Sequence, residues 1–166
     1  MPLSSSIKVV FQATESSAID LATRESATNI ARALVYTSGT GLGQVDLLFS
    51  DQRTLTASAT ENLDFNGALT GAFAAVNFIR LKAILVVASA ANINNVNVIR
   101  PAANGVPLFL AASDGLAVRP GGFFLLACND AVGIVVAGGT ADLLTFTNDA
   151  GSTSVVYEVV LLGTSA

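Results

Sequence analysis

The stretch TLTASATENLDF, residues 54–65, alternates between polar and apolar side chains. All of its even positions are polar, and all of its odd positions except Glu61 are apolar. Successive side chains of a β-strand point to opposite faces, so this pattern predicts one strand with an apolar face and a solvated face. Glu61 interrupts the apolar row. Its presence predicts either a bulge that turns the carboxylate outward or a carboxylate paired at an interface.

Turn-forming pairs further along the chain place this strand in an all-β domain. Short apolar runs rich in Val, Ile, Thr and Phe are separated by Asn66-Gly67, Asn104-Gly105, Asp114-Gly115, Pro120-Gly121 and similar pairs. This spacing of strands and turns is typical of sandwiches and barrels. We therefore predict that residues 41–166 form a β-sandwich domain of the jelly-roll or Greek-key type.

Three segments of this domain give more detailed predictions. Residues 78–88 predict a strand that begins with Arg80 and Lys82 pointing outward. VRPGG, residues 118–122, predicts a type II turn, because proline suits its second position and glycine its third. The run SVVYEVVLLGTSA, residues 154–166, is apolar on both alternating faces apart from Glu158. It predicts a strand covered on both sides, within the sandwich or at a subunit contact.

Residues 1–40 differ in pattern from the rest of the chain. Residues 6–14 alternate weakly and predict one strand, whereas residues 15–33 are rich in Ser, Thr and Ala with an irregular helical spacing of apolar side chains. We therefore predict an extended N-terminal arm that holds one strand and a helical turn.

The composition predicts an oligomer. Hydrophobic residues make up 52% of the chain, charged residues only 12%, and the mean hydropathy is +0.63. No stretch approaches the roughly 20 uninterrupted apolar residues of a membrane span, and the N-terminus lacks a secretory signal pattern. We expect no membrane partner. Because soluble monomers seldom expose large apolar patches, other subunits are expected to cover the surplus.

The residue inventory argues against several classes of function. The net charge is −4 and the eight basic residues are scattered, which argues against nucleic-acid binding. The chain has no histidine, and its single cysteine, Cys128, lies in an apolar run typical of buried positions. We expect no catalytic residues, no cofactor and no metal, and hence no enzyme. A pair of glycosidase-type carboxylates, or calcium at Asn129-Asp130 or Asn148-Asp149, remains an alternative to ordinary turns.

The glycines Gly39, Gly41 and Gly43 stand two apart before an apolar run. A dinucleotide-binding loop would continue with a third glycine at position 44 and a helix, and a phosphate-binding P-loop would include a lysine. The chain has Gln44 there, followed by a strand-like run. We predict a mobile link between arm and domain.

Several motifs resemble small structural proteins of tailed bacteriophages and prophages. They are the Gly-Thr-Gly of residues 39–41, DLLFSDQRTL at 46–55, ASATENLDF at 57–65, RLKAI at 80–84, RPGG at 119–122 and LGTSA at 162–166. The resemblance implies a virion structural protein, of which a capsid decoration or cement protein is the favoured kind. Such proteins are often trimers that bridge major capsid proteins on the outside of the head, after synthesis in the host cytoplasm.

Five residues are predicted to contact partners. They are Ile7, Val9 and Phe11 on the arm, and Asp51 and Arg53 within the resemblance, with ordinary packing and a local ion pair as the alternative. A tail or fibre module that binds host glycans is the alternative function. The absence of Trp and the presence of only two Tyr weigh against it, because sugar platforms use exposed Trp or Tyr.

Overall fold

A computed structural model describes residues 2–67 and 69–166, and the regular secondary structure in them is entirely β, as predicted. The strands are β1 (Ser5–Ile19), β2 (Ala22–Ser38), β3 (Gln44–Val45), β4 (Leu47–Leu55), β5 (Thr60–Asp64), β6 (Leu69–Thr70), β7 (Ala75–Val76), β8 (Arg80–Ala88), β9 (Val96–Ile99), β10 (Gly115–Val118), β11 (Phe123–Ala127), β12 (Ile134–Val135), β13 (Leu143–Thr147) and β14 (Val155–Thr164). None of the described residues forms a helix that could cross a lipid bilayer.

Two antiparallel sheets enclose the main core. One has the order β11-β8-β14-β4, with β12 also pairing with β8, and the other has the order β10-β9-β13-β5. Their facing side chains belong to one buried cluster, to which the first sheet contributes Phe49, Ile84 and Tyr157 and the second Val98 and Phe146. Burial of apolar surface between the sheets therefore holds the domain together.

The strands pair in a nested order. β9 pairs with β10, β8 with β11, β5 with β13, and β4 with β14, so the chain doubles back on itself like one long hairpin. The outermost pair, β4 with β14, and the pair β8 with β11 lie in the first sheet, and the other two pairs lie in the second. Successive strand pairs, counted from the outermost inward, therefore alternate between the two sheets.

Residues 54–65 form parts of two strands, so the prediction of one strand is wrong. β4 ends at Leu55, β5 begins at Thr60, and the chain turns between them with Ser58 in the left-handed region (φ 58°). The two strands belong to opposite sheets that face the same core. The polar and apolar alternation runs on across the turn because Leu55 and Leu63 enter that core from its two sides.

The predicted strand over residues 78–88 is present as β8, but its orientation at Lys82 is not the expected one. Leu162 pairs with Ala83 whereas Gly163 pairs with Leu81, so Lys82 is an extra residue in this ladder. The irregularity turns Lys82 inward, and it is only 1% exposed. A side chain at Gly163 would approach the Arg80 carbonyl oxygen to 2.1 Å, so the irregularity requires glycine there.

The predicted type II turn is confirmed. Gly122 N–H donates to Arg119 O at 2.8 Å, which closes a four-residue turn around Pro120 and Gly121. Gly121 has φ 73°, as the third position of this turn type requires.

The N-terminal residues form a long hairpin, which corrects the prediction of one strand with a helical turn. β1 and β2 pair without interruption from Ser5 opposite Tyr36 to Ile19 opposite Ala22. Residues 15–33, where the helical turn was expected, belong to this ladder except at the turn formed by Asp20 and Leu21. The division of the chain into an arm of residues 1–40 and a domain of residues 41–166 stays a prediction.

Replacing Phe146 by alanine should destabilise the protein strongly. Phe146 is fully buried and stacks on Tyr157 with ring centroids 4.6 Å apart. We expect Phe146→Ala to lower the free energy of unfolding, measured by urea denaturation, by about 3–5 kcal/mol. As a control, Phe73→Ala at a side chain that is 84% exposed should change it by less than about 0.5 kcal/mol. Equal effects of the two substitutions would contradict the shared core.

Candidate functional site

The three predicted contact residues of the arm lie on one face of β1. Ile7, Val9 and Phe11 alternate along the strand, and their partners across the hairpin are Leu34, Arg32 and Ile30. Ile7 and Leu34 pack against a small buried cluster at the base of the hairpin, formed by Tyr36, Val45, Ala83 and Leu162. Val9 and Phe11, further out, are 44% and 58% exposed. An apolar stripe therefore runs from the covered base into solvent.

A groove lies beside this stripe. It has a volume of about 570 Å³ between β1 and the outer face of the five-stranded sheet. Apolar side chains dominate its lining, which includes Ile7, Val9, Leu85, Val87, Phe123 and Val160. Strand β14 was predicted to be covered on both faces. Its inner row is buried, but Val156, Glu158 and Val160 of its outer row are at least partly exposed.

The predicted pair Asp51 and Arg53 forms an ion pair within the chain. Arg53 Nε lies 3.2 Å from Asp51 Oδ2 without hydrogen-bond alignment, and Arg53 Nη1 donates to Glu61 Oε2 at 2.7 Å. Arg53 thus stands between two carboxylates, one on its own strand β4 and one on β5 of the opposite sheet. Contact of Asp51 and Arg53 with a partner stays a prediction.

Glu61 is paired inside the molecule. Its Oε1 accepts a hydrogen bond of 2.6 Å from the Tyr157 hydroxyl, while Arg53 occupies its Oε2. Burial raises the pKa of Tyr157 far above the usual value for a phenol, and the Glu61 carboxylate raises it further. The cluster ties β4, β5 and β14 together at the open edge between the two sheets. Sequence reasoning singled out Glu61 but not Tyr157, because only closure of the two sheets joins them.

A second polar cluster surrounds Lys82. Its ammonium group donates to Asp130 O, Tyr36 OH donates to Cys128 O at 2.7 Å, and Cys128 Sγ contacts Lys82 O at 3.4 Å. Burial raises the pKa of Tyr36 to about 12. Burial also raises the pKa of the Cys128 thiol, with Asp130 adding to the effect, so the thiol is not activated as a nucleophile. Sequence reasoning missed this cluster because Lys82 was expected to face solvent.

Three of the four candidate calcium residues, Asp130, Asn148 and Asp149, are engaged in hydrogen bonds within the protein, and Asp149 Oδ2 accepts one from Asn97 Nδ2 at 2.9 Å. Asp130 Oδ1 accepts hydrogen bonds from Gly133 N and Val132 N, which lower the pKa of its carboxyl. Asn148 Nδ2 donates to Thr56 O and Thr153 O. Across residues 2–67 and 69–166, no three acidic or cysteine side chains come together as a metal site would require.

The glycine loop of residues 39–43 joins β2 to the parallel strand β3. Thr37 N donates to Gly43 O, Gly39 N to Val45 O, and Gly43 N to Asn129 O. The Gln44 side chain accepts a hydrogen bond of 2.9 Å from Gly41 N. These hydrogen bonds hold both ends of the loop in place, which differs from the mobile link that was predicted.

Comparison with protein-family models, with curated proteins and with solved structures found no match for this chain. The resemblance to phage structural proteins therefore rests on the sequence motifs.

The two buried tyrosines should make the protein sensitive to alkaline pH. Because each folded-state pKa is raised above the ordinary value near 10, the stabilisation is complete below pH 10 and is lost as pH rises above it. In Tyr157→Phe we expect the free energy of unfolding to fall less steeply between pH 10 and 12, by about 1.4 kcal/mol per pH unit. Urea denaturation across this pH range measures both slopes. Parallel slopes would mean that folding does not shift the titration of Tyr157.

Proposed function

We propose that this chain is a virion structural protein that decorates and cements a phage head. In this role it is not an enzyme: it associates with copies of itself, as a trimer, and bridges major capsid proteins on the outer surface of the shell. It needs no cofactor, nucleic acid or membrane. The observation that carries the proposal is the long β1–β2 hairpin, in which Val9 and Phe11 of the apolar stripe are exposed and the edge of β1 pairs with no further strand within the described residues.

The strand order supports a jelly roll as the body of this protein. Numbered one to eight in chain order, the main strands β4, β5, β8, β9, β10, β11, β13 and β14 give sheet orders of 1-8-3-6 and 2-7-4-5. A long hairpin rolled into two facing sheets produces this arrangement, and jelly rolls are frequent in viral capsid and lectin domains. The fold alone does not separate these two classes, and only the chemistry of the surface can do so.

The surface favours attachment to protein over attachment to sugar. Both tyrosines, Tyr36 and Tyr157, are fully buried, and the chain has no tryptophan. The exposed aromatic side chains are phenylalanines such as Phe11, Phe73 and Phe123, which lack the polar group that ring platforms for sugars use. These features support a protein partner, and they weigh against the glycan-binding tail module.

The hairpin acts as the arm in the proposed mechanism. β1 is an edge strand along its whole length of 15 residues, and residues 3–38 contain neither proline nor glycine to block pairing. An open edge of this kind accepts a further strand, whose backbone hydrogen bonds provide affinity and whose alternate side chains set the register. A trimer with three arms makes several such contacts at once. The pressure of packaged DNA must then break them together, which multiplies the effect of weak individual contacts.

Shortening the hairpin tests the arm directly. Lys8 and Ala33 are directly paired, so residues 9–32 can be replaced by Asn-Gly to give a two-residue turn that keeps Ile7 and Leu34 in place. We expect a folded protein with the wild-type urea midpoint that no longer coats head shells lacking it, as measured by co-sedimentation and electron microscopy. Undiminished coating by the shortened protein would refute the role of the arm, and density for the chain on the tail alone would refute cementing.

A further inference from the structure

The outer face of the five-stranded sheet presents three rows of side chains across three adjacent strands. Strand pairing between β11, β8 and β14 defines each row. In order along the sheet, the rows are Ala127–Ala83–Leu162, Leu125–Leu85–Val160 and Phe123–Val87–Glu158. All members except Glu158 are apolar, which is unusual for a sheet face that water can reach.

The protein's own hairpin packs closely on the first row and only borders the second. Ile7 and Leu34 pack there, against Ala83 and Leu162. The apolar members of the second and third rows line the groove beside the hairpin, and Phe123 at its far end is 67% exposed. The packing of Ile7 and Leu34 on the first row therefore shows which kind of surface this sheet face binds: the apolar face of the hairpin.

The same hairpin cannot also fill the groove. Its ladder of paired residues is unbroken from Ser5 to Ile19, without a bulge at which it could bend down onto the second row. Val9 and Phe11, the next two residues on the correct face, stay 44% and 58% exposed as a result. Within one molecule the stripe reaches the groove only at its edge, through Val9, and Phe11 and Ile30 lie outside the groove's lining.

We propose that the groove binds the hairpin of a second copy of this chain. Val9, Phe11 and Ile30 of one copy pack over Leu85, Val87 and Phe123 of its neighbour. The contact continues the existing interface between hairpin and sheet, with the same types of side chain on each side. It rests on the proposed function, because it names the surface that receives the arm.

Charge complementarity supports a second copy as the occupant. Arg32 lies on the apolar face of the hairpin opposite Val9, and its guanidinium donates only to the neighbouring carbonyl of Ala31. Glu158 lies outside the groove's lining, beside its residue Val87 in the third row, and receives only a long contact of 3.4 Å from Gln52. Ion pairs in the described part of the chain involve neither residue. Each surface thus carries an unpaired charge that the other can neutralise.

The hairpins also carry no net charge that would keep copies apart. Residues 5–38 include three basic side chains and three acidic ones, namely Lys8, Arg24, Arg32, Glu15, Asp20 and Glu25. The net charge of −4 therefore belongs to the rest of the molecule.

Sedimentation velocity of the full chain and its variants tests the contact. We expect the wild type to associate and Phe123→Asp to weaken association at least about tenfold, because the aspartate would be buried against apolar side chains. Phe73→Asp is the matched control at another exposed phenylalanine, and it should leave association unchanged. Arg32→Glu and Glu158→Arg should each weaken association about fivefold, and the double variant should restore it.

Cross-linking provides a second readout that does not depend on affinity. In a Cys128→Ala background, a mixture of Phe11→Cys and Phe123→Cys chains should form a disulfide-linked heterodimer under oxidation. The mixture of Phe11→Cys and Phe73→Cys should not. Equal yields from the two mixtures would overturn the proposed contact.

The outcomes separate this inference from the proposed function. If Phe123→Asp associates normally but no longer coats shells, a shell protein occupies the groove and the inference is wrong while cementing stands. If the charge reversals and their double variant behave as expected but the wild type never binds shells, the contact is right and the cement role is wrong. A wild type that stays monomeric at all concentrations overturns the inference, whatever it binds.

Discussion

The need to cover both faces of strand β14 governs the architecture. β14 is hydrogen-bonded along both edges, to β4 and to β8, and its inner row of Val155, Tyr157, Val159 and Leu161 is completely buried. Burying each such side chain against the opposite sheet contributes about 1.5–3 kcal/mol. The outer row is also largely apolar, but only the base of the hairpin lies over it. The outer face of β14 is therefore largely apolar and partly exposed to solvent.

Polar side chains make hydrogen bonds at the open edge between the two sheets and at the irregularity in β8. Glu61 joins Arg53 and Tyr157 across the open edge between the sheets, and Lys82 satisfies the carbonyl of Asp130 at the irregularity in β8. A buried ammonium or carboxylate without such partners would be costly, so these hydrogen bonds are conditions for the fold. These clusters also contain two side chains that the sequence analysis considered for a chemical role. Glu61 and Cys128 each make polar contacts within the molecule.

Local patterns predicted the all-β class, the strands over residues 6–14 and 78–88, and the type II turn at Pro120. Period-two alternation and turn chemistry depend on neighbours in sequence, so they can be recognised in one chain. The remaining features depend on distant partners. The turn at Ser58 could not be recognised because the alternation of polar and apolar side chains continues from β4 in one sheet to β5 in the other. The burial of Lys82 follows from the register shift where β8 pairs with Gly163. The turn at Asp20 and Leu21 contains neither glycine nor proline, and Asp20 alone is too weak a signal to predict the pairing of β1 with β2.

The ordered hairpin changes how an arm of this kind would work. A disordered arm that folds on binding loses conformational entropy at that moment, at about 1–2 kcal/mol for each backbone residue fixed. In this chain the 15 paired residues of β1 have already been ordered by β2 during folding. Binding then fixes only the side chains and the orientation of a preformed ribbon, and a larger share of the contact energy appears as affinity. Under the proposed function, this preorganisation lets a segment with modest apolar side chains, largely Ala, Val and Ile, hold subunits together. The open edge of β1 is then available to pair with a neighbouring strand.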